Sequence, residues 1–540
     1  MLITFLFFLL FSNGLTIRPD SSILYSRLAL VILFYLLLSA NISFHITYLE
    51  KGVSLYGGLF NITAITQSFQ IFIFLVSLFI LLITAFYPRK KYVGDSVTML
   101  DSLLKNVKQY VSIINKTSEQ FTIIEYALIM LFVVSGATLL ISSADLASLY
   151  LCLELQSFSL YIISSLHRNS ESSTGSALTY FLLGALSSCF ILLGIALIYA
   201  NSGLTNLEGL FCIISDTEKY TYYSTWYNHS YFFYSLLLIS VGLLFKIAAA
   251  PFHWWSPDVY DGVPTIVTTF IAILGKIAIL ILFLELVHYT SGLLYSKTQF
   301  YSWTTSLTMS CFFSLIIGTL LGLTQDRIKR LLAYSTISHI GFILLALTVH
   351  TIESYQAFLF YIIQYIITNL NAFFIIIAMG FNLYLYYTNN AEFNNLSEKN
   401  NSPIQLISQM KGYFAINPVL SLCLVVTMFS FIGLPPLVGF FAKLMVLTSA
   451  LDNGKILLVL VAVLTSVIGA VYYLSVIKTI YFENTEYKKS YVYVDVTLSN
   501  VFSITLALFN LAIIFFILIP NEILNLCDLL SLIGYNALII

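Results

Sequence analysis

What this sequence has least of is charge. Only 9% of its 540 residues are Asp, Glu, Lys or Arg, whereas 59% are hydrophobic and the mean hydropathy is +0.92. Soluble globular domains carry about 25% charged residues, so the composition excludes an ordinary water-soluble protein. The net charge is −1 and no block of basic residues occurs, so nothing in the sequence indicates a nucleic-acid partner.

Motifs for cofactors are missing as well. The six cysteines are scattered and form no C-x-x-C pair, so the sequence predicts neither a metal, cluster or haem site nor a disulfide framework. No G-x-G-x-x-G motif opens a helix after a strand. The N-terminal stretch MLITFLFFLLFSNGL lacks the basic segment and the cleavage site of a signal peptide. We therefore expect it to be retained as a first helix.

What the sequence does contain is a series of apolar runs of about 20 residues, each long enough to cross a bilayer as a helix. Backbone groups in lipid must be satisfied within the segment, so the predicted fold class is an all-α polytopic membrane protein. We predict about 14 transmembrane helices, at residues 1–15, 28–48, 65–87, 122–142, 146–166, 176–200, 232–252, 264–289, 302–323, 327–350, 356–386, 417–450, 455–481 and 498–520.

The distribution of basic residues supports this assignment. Of the 24 Lys and Arg residues, 17 fall in loops after odd-numbered spans or at the span ends that border them, and four in or beside loops after even-numbered spans. The positive-inside rule predicts such a bias, and it would place both termini on the positive-poor side. Three loops, 88–121, 201–231 and 387–416, are long and polar. Partners or lipid headgroups could bind there, although a solvated surface loop is the simpler interpretation.

The remaining three lysines, Lys246, Lys276 and Lys443, interrupt apolar spans. A lysine at the centre of a membrane helix costs about 3 kcal/mol on insertion scales. Lys246 and Lys276 lie near the middle of their spans, where a lysine cannot readily extend to the interface. We therefore interpret both as functional. Lys443 lies nearer the end of its span if that span is short.

Prolines interrupt the spans that carry two of these lysines; they are Pro251, Pro435 and Pro436. Proline removes a helical hydrogen bond and clashes with the preceding turn. The carbonyl groups that should lose their helical partners are those of Ile247, Phe431 and Ile432. Transporters build midplane ion sites from the bare carbonyls of such broken helices. The alternative interpretation is two helices that are merely kinked.

Glu154 is the one carboxylate deep within a span. Burial favours the neutral form of a lysine, whereas a charged carboxylate beside it favours the ammonium. A change in the distance between Glu154 and a lysine would therefore load and unload a proton.

Histidine offers a second titratable group within the membrane. His339 lies in the middle of the tenth span and titrates near neutrality, which suits a proton relay. A hydrogen-bonded structural role fits that residue equally well. His253 and Asp258, just past Pro251, are weaker candidates. Glu285 and His288 lie near a helix end and are expected at the interface.

Five stretches, read in order along the chain, resemble the subunit 2 family of respiratory complex I, the proton-pumping NADH:ubiquinone oxidoreductase. They are YLCLELQSFSLY, LLFKIAAAPFHWWSPDVYDGVPT, GKIAILILF, DRIKRLLAYSTISHIGFILLAL and GLPPLVGFFAKLMVL. The resemblance runs from about residue 122 to 482. It implies an antiporter-like fold with two inverted five-helix repeats and with broken helices 7 and 12. The implied organisation is helices 1–3 with a polar loop at 1–121, the first repeat at 122–300, the second repeat at 301–482, and helix 14 with a tail at 483–540.

The resemblance also implies roles for single residues. Glu154 and Lys246 would form a modulating pair, Lys276 would be a central relay, and Lys443 and His339 would continue a polar axis in the second repeat. It implies that this chain binds no nicotinamide, flavin, iron–sulfur cluster or quinone itself. Its partners would be the other membrane-arm subunits of complex I, including neighbouring antiporter-like subunits, together with membrane lipids.

Three functions remain open on the sequence. The leading hypothesis is a core proton-translocating subunit whose energy comes from a redox arm elsewhere in the complex. A free-standing cation/proton antiporter would need a carboxylate-rich cation site, for which Glu154 alone is poor. A non-pumping scaffold would leave three buried lysines without a use. An abundance of Phe, Tyr, Ile, Leu and Asn favours an organellar gene, and hence the mitochondrial inner membrane over a bacterial cytoplasmic membrane.

Overall fold

The computed structural model describes residues 1–15, 21–45, 49, 52–85, 89–92, 125–219, 229–290, 303–383, 386–387, 402–485, 487–489, 494–497 and 500–536. The first repeat and the segments before it contain α1 (Leu2–Leu15), α2 (Ser21–Ile42), α3 (Ala64–Ala85), α4 (Glu125–Ile141), α5 (Leu146–Ser165), α6 (Glu171–Ser202), α7 (Leu207–Lys219), α8 (His229–Ile247), α9 (Trp255–Gly262) and α10 (Thr265–Tyr289). The remaining helices are α11 (Thr304–Gly322), α12 (Ile328–Leu347), α13 (Ile352–Leu383), α14 (Pro418–Ile432), α15 (Val438–Asp452), α16 (Ile456–Tyr481), α17 (Asn500–Phe515) and α18 (Pro520–Asn536).

The fold is all-α and polytopic, as predicted. Within the described residues, ten helices are long and apolar enough to cross a membrane. Four further apolar segments are shorter, namely Leu2–Leu15, Glu125–Ile141, Tyr231–Ile247 and Pro418–Ile432. Every predicted span coincides with a described helix or pair of helices, but the number of crossings stays a prediction.

The two helices predicted to be broken, 7 and 12, are each interrupted in the structure. The helix predicted at 232–252 is α8, which ends at Ile247; the chain then passes through a non-helical segment before α9 begins at Trp255. The span predicted at 417–450 is two helices, α14 and α15, separated by residues 433–437. Hydropathy continues through both breaks because their residues are apolar. The prolines stop the helices because they supply no amide hydrogen and clash with the preceding turn.

The helix packing of α4–α10 recurs in α11–α16. In the first set, α4 packs against α5 and α10, and α6 packs against α8 and α9. In the second set, α11 packs against α12 and α16, and α13 packs against α14 and α15. The two broken helices, α8–α9 and α14–α15, therefore hold corresponding places.

Three helices form the centre of the molecule. The apolar windows of α10, α12 and α13 are 94%, 89% and 89% buried, whereas those of α6 and α16 are only 33% buried. A helix that is apolar on all sides and buried belongs to the interior of the bundle. Most residues in the apolar windows of α10, α12 and α13 are thus enclosed by protein, not by lipid.

Short strands and turns connect the helices at the two ends. The strands are β1 (Val53–Leu55), β2 (Phe60–Ile62), β3 (Arg89–Tyr92), β4 (Tyr386–Tyr387), β5 (Lys488–Lys489) and β6 (Val494–Thr497), and they pair antiparallel as β1–β2, β3–β6 and β4–β5. Loop 201–231 contains the amphipathic helix α7, and loop 387–416 covers the start of α12. Apart from β3, loop 88–121 lies outside the described residues.

The C-terminal tail, for which the sequence predicted no position, forms α18. It packs against α13 and α3, and its Gly534 carbonyl lies 2.6 Å from Nε2 of His288. The end of α10 is therefore tied to the tail.

Candidate proton-transfer site

The first break brings Lys246 and Glu154 together. Lys246 lies in the last turn of α8, immediately before the break, and its Nζ is 3.2 Å from Oε1 of Glu154 on α5. The two side chains are 6% and 16% exposed. Buried charges in proteins are paired with an opposite charge or bonded to polar groups, and each of these two has the other as its partner. The pair predicted from the sequence is thus formed.

Local sequence fixes both helices of this pair. Asp145 caps the start of α5 by accepting a hydrogen bond from the Ala147 amide at 2.8 Å. After α8, the indole of Trp255 donates to the Phe245 carbonyl at 2.9 Å. Trp255, the first residue of α9, thus satisfies a carbonyl group at the end of α8 that has no partner within its own helix.

Glu154 borders the outer face of α5, although its own side chain is only 16% exposed. Leu151 and Phe158, one turn before and one turn after it, are 67% and 50% exposed, and residues at this spacing share one helix face. An ionisable group in the membrane faces the bundle interior or a polar partner, because lipid cannot solvate it. The outer side of α5 is therefore suited to contact with another polypeptide.

Lys276 lies in the centre of the molecule. Its side chain on α10 is 1% exposed, and its Nζ donates to Oγ1 of Thr336 on α12 at 3.1 Å. The same nitrogen lies 5.6 Å from the centre of the Tyr260 ring on α9. The ammonium is held by a hydroxyl dipole and an aromatic face, both neutral groups.

The second break supplies its own partners for a lysine. Nζ of Lys443 donates to the carbonyls of Phe431 at 2.9 Å and Ile432 at 2.8 Å. These are the two carbonyls that the double proline was expected to free. Gly433 ends α14 with φ +85°, and its Cα lies beside the aliphatic part of Lys443, so a side chain there would be strained and crowded.

His339 borders the Lys443 site. Its Nδ1 is 2.8 Å from the hydroxyl of Tyr361, and its Nε2 is 3.4 Å from the hydroxyl of Tyr473. His339 and Lys443 line one small cavity together with Phe431. The histidine is thus both hydrogen-bonded and next to the lysine, so the relay and the structural interpretations both fit its position.

The structure brings the predicted residues together in two groups with Lys276 between them. One group is Glu154 with Lys246, and the other is Lys443 with His339. Lys276 reaches toward the second group through Thr336, which lies three residues before His339 on α12. Buried tyrosine hydroxyls on α9 and α13, those of Tyr260 and Tyr365, lie near Thr336 as well.

The weaker candidates lie away from these groups. His253 is buried in the first break, where its ring stacks on Trp254. Asp258 is 62% exposed and pairs with Arg330 at 2.9 Å. His288 bonds to the tail, and Glu285 lies one turn before it on α10.

Sequence reasoning missed one buried lysine altogether. Lys329 was counted among the basic loop residues, but it lies in the first turn of α12 and is 1% exposed. Its neighbours Arg327 and Arg330 both reach Asp261 at the end of α9. Lys329 stands between two partly exposed arginines, so the short basic run had the look of an exposed loop. The only sign of its burial in the sequence was its place at the start of an apolar helix.

Among the described residues, no group of three or more His, Cys, Asp or Glu side chains is arranged to hold a metal ion. All six cysteines lie in the described part of the chain and are free thiols there. The chemistry available at the site is therefore that of lysine, carboxylate, imidazole and hydroxyl groups, which can hold and pass protons.

The chain is similar to proteins of known name. Residues 143–469 match the family described as "NADH:quinone oxidoreductase/Mrp antiporter, TM". NADH-ubiquinone oxidoreductase chain 2 of Rhizopus oryzae is 43% identical over 532 residues, which cover 95% of each chain. NADH-quinone oxidoreductase subunit N of Nitrosomonas europaea is 36% identical over 362 residues, covering 67% of this chain and 69% of that protein.

Solved structures share the fold. A chain of respiratory complex I from Thermus thermophilus with bound aureothin superposes with a TM-score of 0.71 at 24% identity, covering 98% of each chain. A chain of an archaeal membrane-bound sulfane sulfur reductase gives a TM-score of 0.76 at 22% identity, covering 99% of this chain and 96% of that one. A chain of the Mrp complex from Dietzia gives 0.73 at 16% identity, covering 99% and 97%. The antiporter-like architecture is thus common to redox complexes and antiporters.

Proposed function

Because this chain belongs to the NADH:quinone oxidoreductase/Mrp antiporter family of membrane subunits, we propose that it is a proton-translocating subunit of the membrane arm of respiratory complex I. In this role it couples electron transfer from NADH to ubiquinone, carried out elsewhere in the complex, to proton movement through its own buried residues. The chain holds no redox centre itself. NADH, flavin, iron–sulfur clusters and ubiquinone are bound by other subunits.

The observation that carries the proposal is the buried ion pair at the first break. Glu154 and Lys246 are 3.2 Å apart. When the carboxylate is near, the ammonium form of the lysine is favoured; when it withdraws or binds a proton, burial favours the amine. A conformational change that moves Glu154 by a few ångströms would thus release a proton from Lys246 to a neighbouring group.

The other buried residues provide the acceptors. Among the described residues, the partners of Lys276 are neutral groups, Thr336 and the Tyr260 ring, so loss of its proton leaves no charged partner uncompensated. His339 and Lys443 continue the path in the second repeat, where they share a cavity. We assign proton transfer to Glu154, Lys246, Lys276, His339 and Lys443, in this order through the molecule.

The position of Glu154 supports an assembly with other subunits. It lies between exposed apolar residues on one face of α5, and a coupling free energy between a distant redox site and this pair must pass through physical contacts. We propose that neighbouring membrane-arm subunits, antiporter-like ones among them, cover this face. The abundance of Phe, Tyr, Ile, Leu and Asn, which favours an organellar gene, supports the mitochondrial inner membrane as its location.

A native gel of solubilised membranes, stained for NADH dehydrogenase activity, tests the assembly directly. Peptides of this chain, for example from residues 92–116, are expected in the active band by mass spectrometry. If the chain migrates alone or with antiporters, it does not belong to complex I.

Lys246→Ala then tests proton transfer in the assembled complex. Proton pumping per NADH oxidised should fall at least about ten-fold, while the complex still assembles, because the lone Glu154 can neutralise itself by binding a proton. Lys411→Ala is the matched control, since this lysine is one-third exposed in an end loop and forms an ion pair with Glu483 in the described part of the chain. Full assembly and unchanged pumping in Lys246→Ala would favour a scaffold.

A further inference from the structure

Polar residues from both repeats form a cluster at the ends of α9 and α12. Oδ2 of Asp261 lies 2.5 Å from Nη1 of Arg327 and 3.2 Å from Nε of Arg330. The Asp261 side chain is 8% exposed, whereas the arginines are about two-fifths exposed. One buried carboxylate of the first repeat is therefore held by two cations of the second.

Lys329 extends this cluster into the interior. Its buried Nζ donates to the carbonyls of Asp261 at 3.1 Å and Val263 at 2.7 Å, and to Oγ of Ser402 at 2.7 Å. An ammonium has three protons to donate, and this one has three acceptors. Since two of the acceptors lie at the C-terminal end of α9, Lys329 caps that helix as a cation does at the negative end of a helix dipole.

These contacts connect α9 and α12, the two helices whose side chains contact Lys276. Tyr260, whose ring lies under the Lys276 ammonium, directly precedes Asp261 on α9. Thr336, which accepts the hydrogen bond from Lys276, lies on α12 two turns beyond Lys329. The cluster thus ties together the carriers of both neutral contacts of Lys276.

We propose that Asp261, Arg327, Lys329 and Arg330 act as one positioning clamp, which sets the distance of Tyr260 and Thr336 from Lys276 and thereby the ease with which Lys276 exchanges its proton. This inference rests on the proton-translocating function proposed above. The clamp residues touch none of the transferred protons; they act through α9 and α12. The clamp also joins the helix after the first break to the helix of His339, so a shift of one repeat reaches the other through it.

Asp261→Asn tests the clamp in the whole complex, because asparagine keeps the size of the side chain and removes its charge. We expect the amount of assembled complex to stay within about two-fold of the parent. Coupled quinone reduction per assembled complex should fall about three- to ten-fold. The pH profile of the coupled rate should shift, since Lys276 exchanges its proton under altered contacts. Glu483→Gln, which removes an ion pair with Lys411 at a loop far along the chain, should leave rate and profile unchanged.

A double variant shows whether the clamp acts through α9. Tyr260→Leu removes the ring from Lys276, so adding Asp261→Asn should cause little further loss if both changes act on the same contact. An unshifted pH profile, or a fall in rate that only follows the fall in assembly, would each overturn the proposal. Multiplied losses would overturn the part of it that runs through α9 and Tyr260. If Asp261→Asn does not assemble, the double change Arg327→Gln with Arg330→Gln removes the two partner cations of Asp261 from the exposed side and is judged by the same criteria.

Lys246→Ala, measured in the same membranes, separates the two hypotheses. Loss of pumping in that variant together with control-like behaviour of Asp261→Asn would reject the clamp and keep the proton-translocating function. Unchanged pumping in Lys246→Ala would reject the function on which the clamp depends.

Discussion

The two broken helices solve one physical problem in different ways. Each has a buried lysine beside the break, but Lys246 is held by a carboxylate and Lys443 by two backbone carbonyls. The first lysine precedes its break, and the second follows it. A carboxylate can move or bind a proton, whereas a carbonyl stays where the backbone holds it. The repeats therefore differ in whether the partner of the lysine can be switched.

This difference assigns different tasks to the two repeats. In the first, the charge state of Glu154 alters the neighbourhood of Lys246, so a signal can enter there. In the second, Phe431 and Ile432 present the same two dipoles whatever the state of other groups, so the hydrogen-bond partners of Lys443 do not change charge. His339 adjoins that site without replacing its partners. A variable first site followed by a constant second site is suited to passing protons in one sequence.

The largest effect is expected at Lys443, because its backbone carbonyl partners can neither move away nor bind a proton. Lys443→Met keeps the length of the side chain but leaves the carbonyls of Phe431 and Ile432 without their donor, at a cost of about 1–3 kcal/mol for each buried group. We expect pumping to be lost and the amount of assembled complex to fall several-fold, measured by dye quenching and native gel. Leu444→Met, on an exposed part of the same helix, is the control. Normal pumping in Lys443→Met would remove the second break from the proton path.

Exchanging the partners of the first pair tests whether that site can be switched. Glu154→Gln should assemble, because the amide can still accept a hydrogen bond from Lys246, but coupled turnover should fall about three- to ten-fold. The double change Glu154→Lys with Lys246→Glu restores an ion pair of opposite sense. It should recover assembly and not pumping, since the proton carrier then stands on the wrong helix. Recovery of pumping would mean that the pair only holds α5 against α8.

Sequence patterns reached the site through its most local features. Lys246 and Glu154 were identifiable because a charge in an apolar span is rare, and the carbonyls of Phe431 and Ile432 because proline acts on the turn before it. The partner of Lys276 could not be found in this way. Thr336 lies 60 residues away, and a threonine in an apolar helix carries no signal of its own. Lys329 was misassigned because hydropathy describes the average environment of a window and not the contacts of one side chain.

A smaller effect is expected at the central lysine, Lys276, whose partners are a hydroxyl and an aromatic ring. Thr336→Val keeps the shape of the side chain and removes the hydroxyl that Lys276 donates to. A hydrogen bond of this kind is worth about 1 kcal/mol net, so coupled turnover should fall no more than about five-fold. Thr448→Val, on the exposed side of α15, is the control for loss of a hydroxyl within a helix. A loss as great as that of Lys443→Met would show that the hydroxyl is itself part of the proton path.

The smallest effect concerns a histidine that follows the second helix of each repeat. This residue is His167 after α5 and His350 after α12. Burial and then the nearby Lys455 lower the pKa of His350 to about 4. Because this value lies below the ordinary one of about 6.5, the folded chain binds fewer protons than the unfolded chain between these pH values. Stability should therefore decline as pH falls from about 6.5 toward 4, by at most about 1.4 kcal/mol per pH unit from this group.

His350→Asn removes that proton-binding group and tolerates the positive φ of 61° at this position. The thermal midpoint of the assembled complex, followed by native gel at pH 7 and pH 5, should then drop less in the variant than in the parent. His45→Asn, at an exposed histidine, should behave like the parent. An equal drop in His350→Asn and the parent would mean that acid acts on the second repeat through other groups. The contrast between a switchable first repeat and a constant second one would then rest on Lys443 alone.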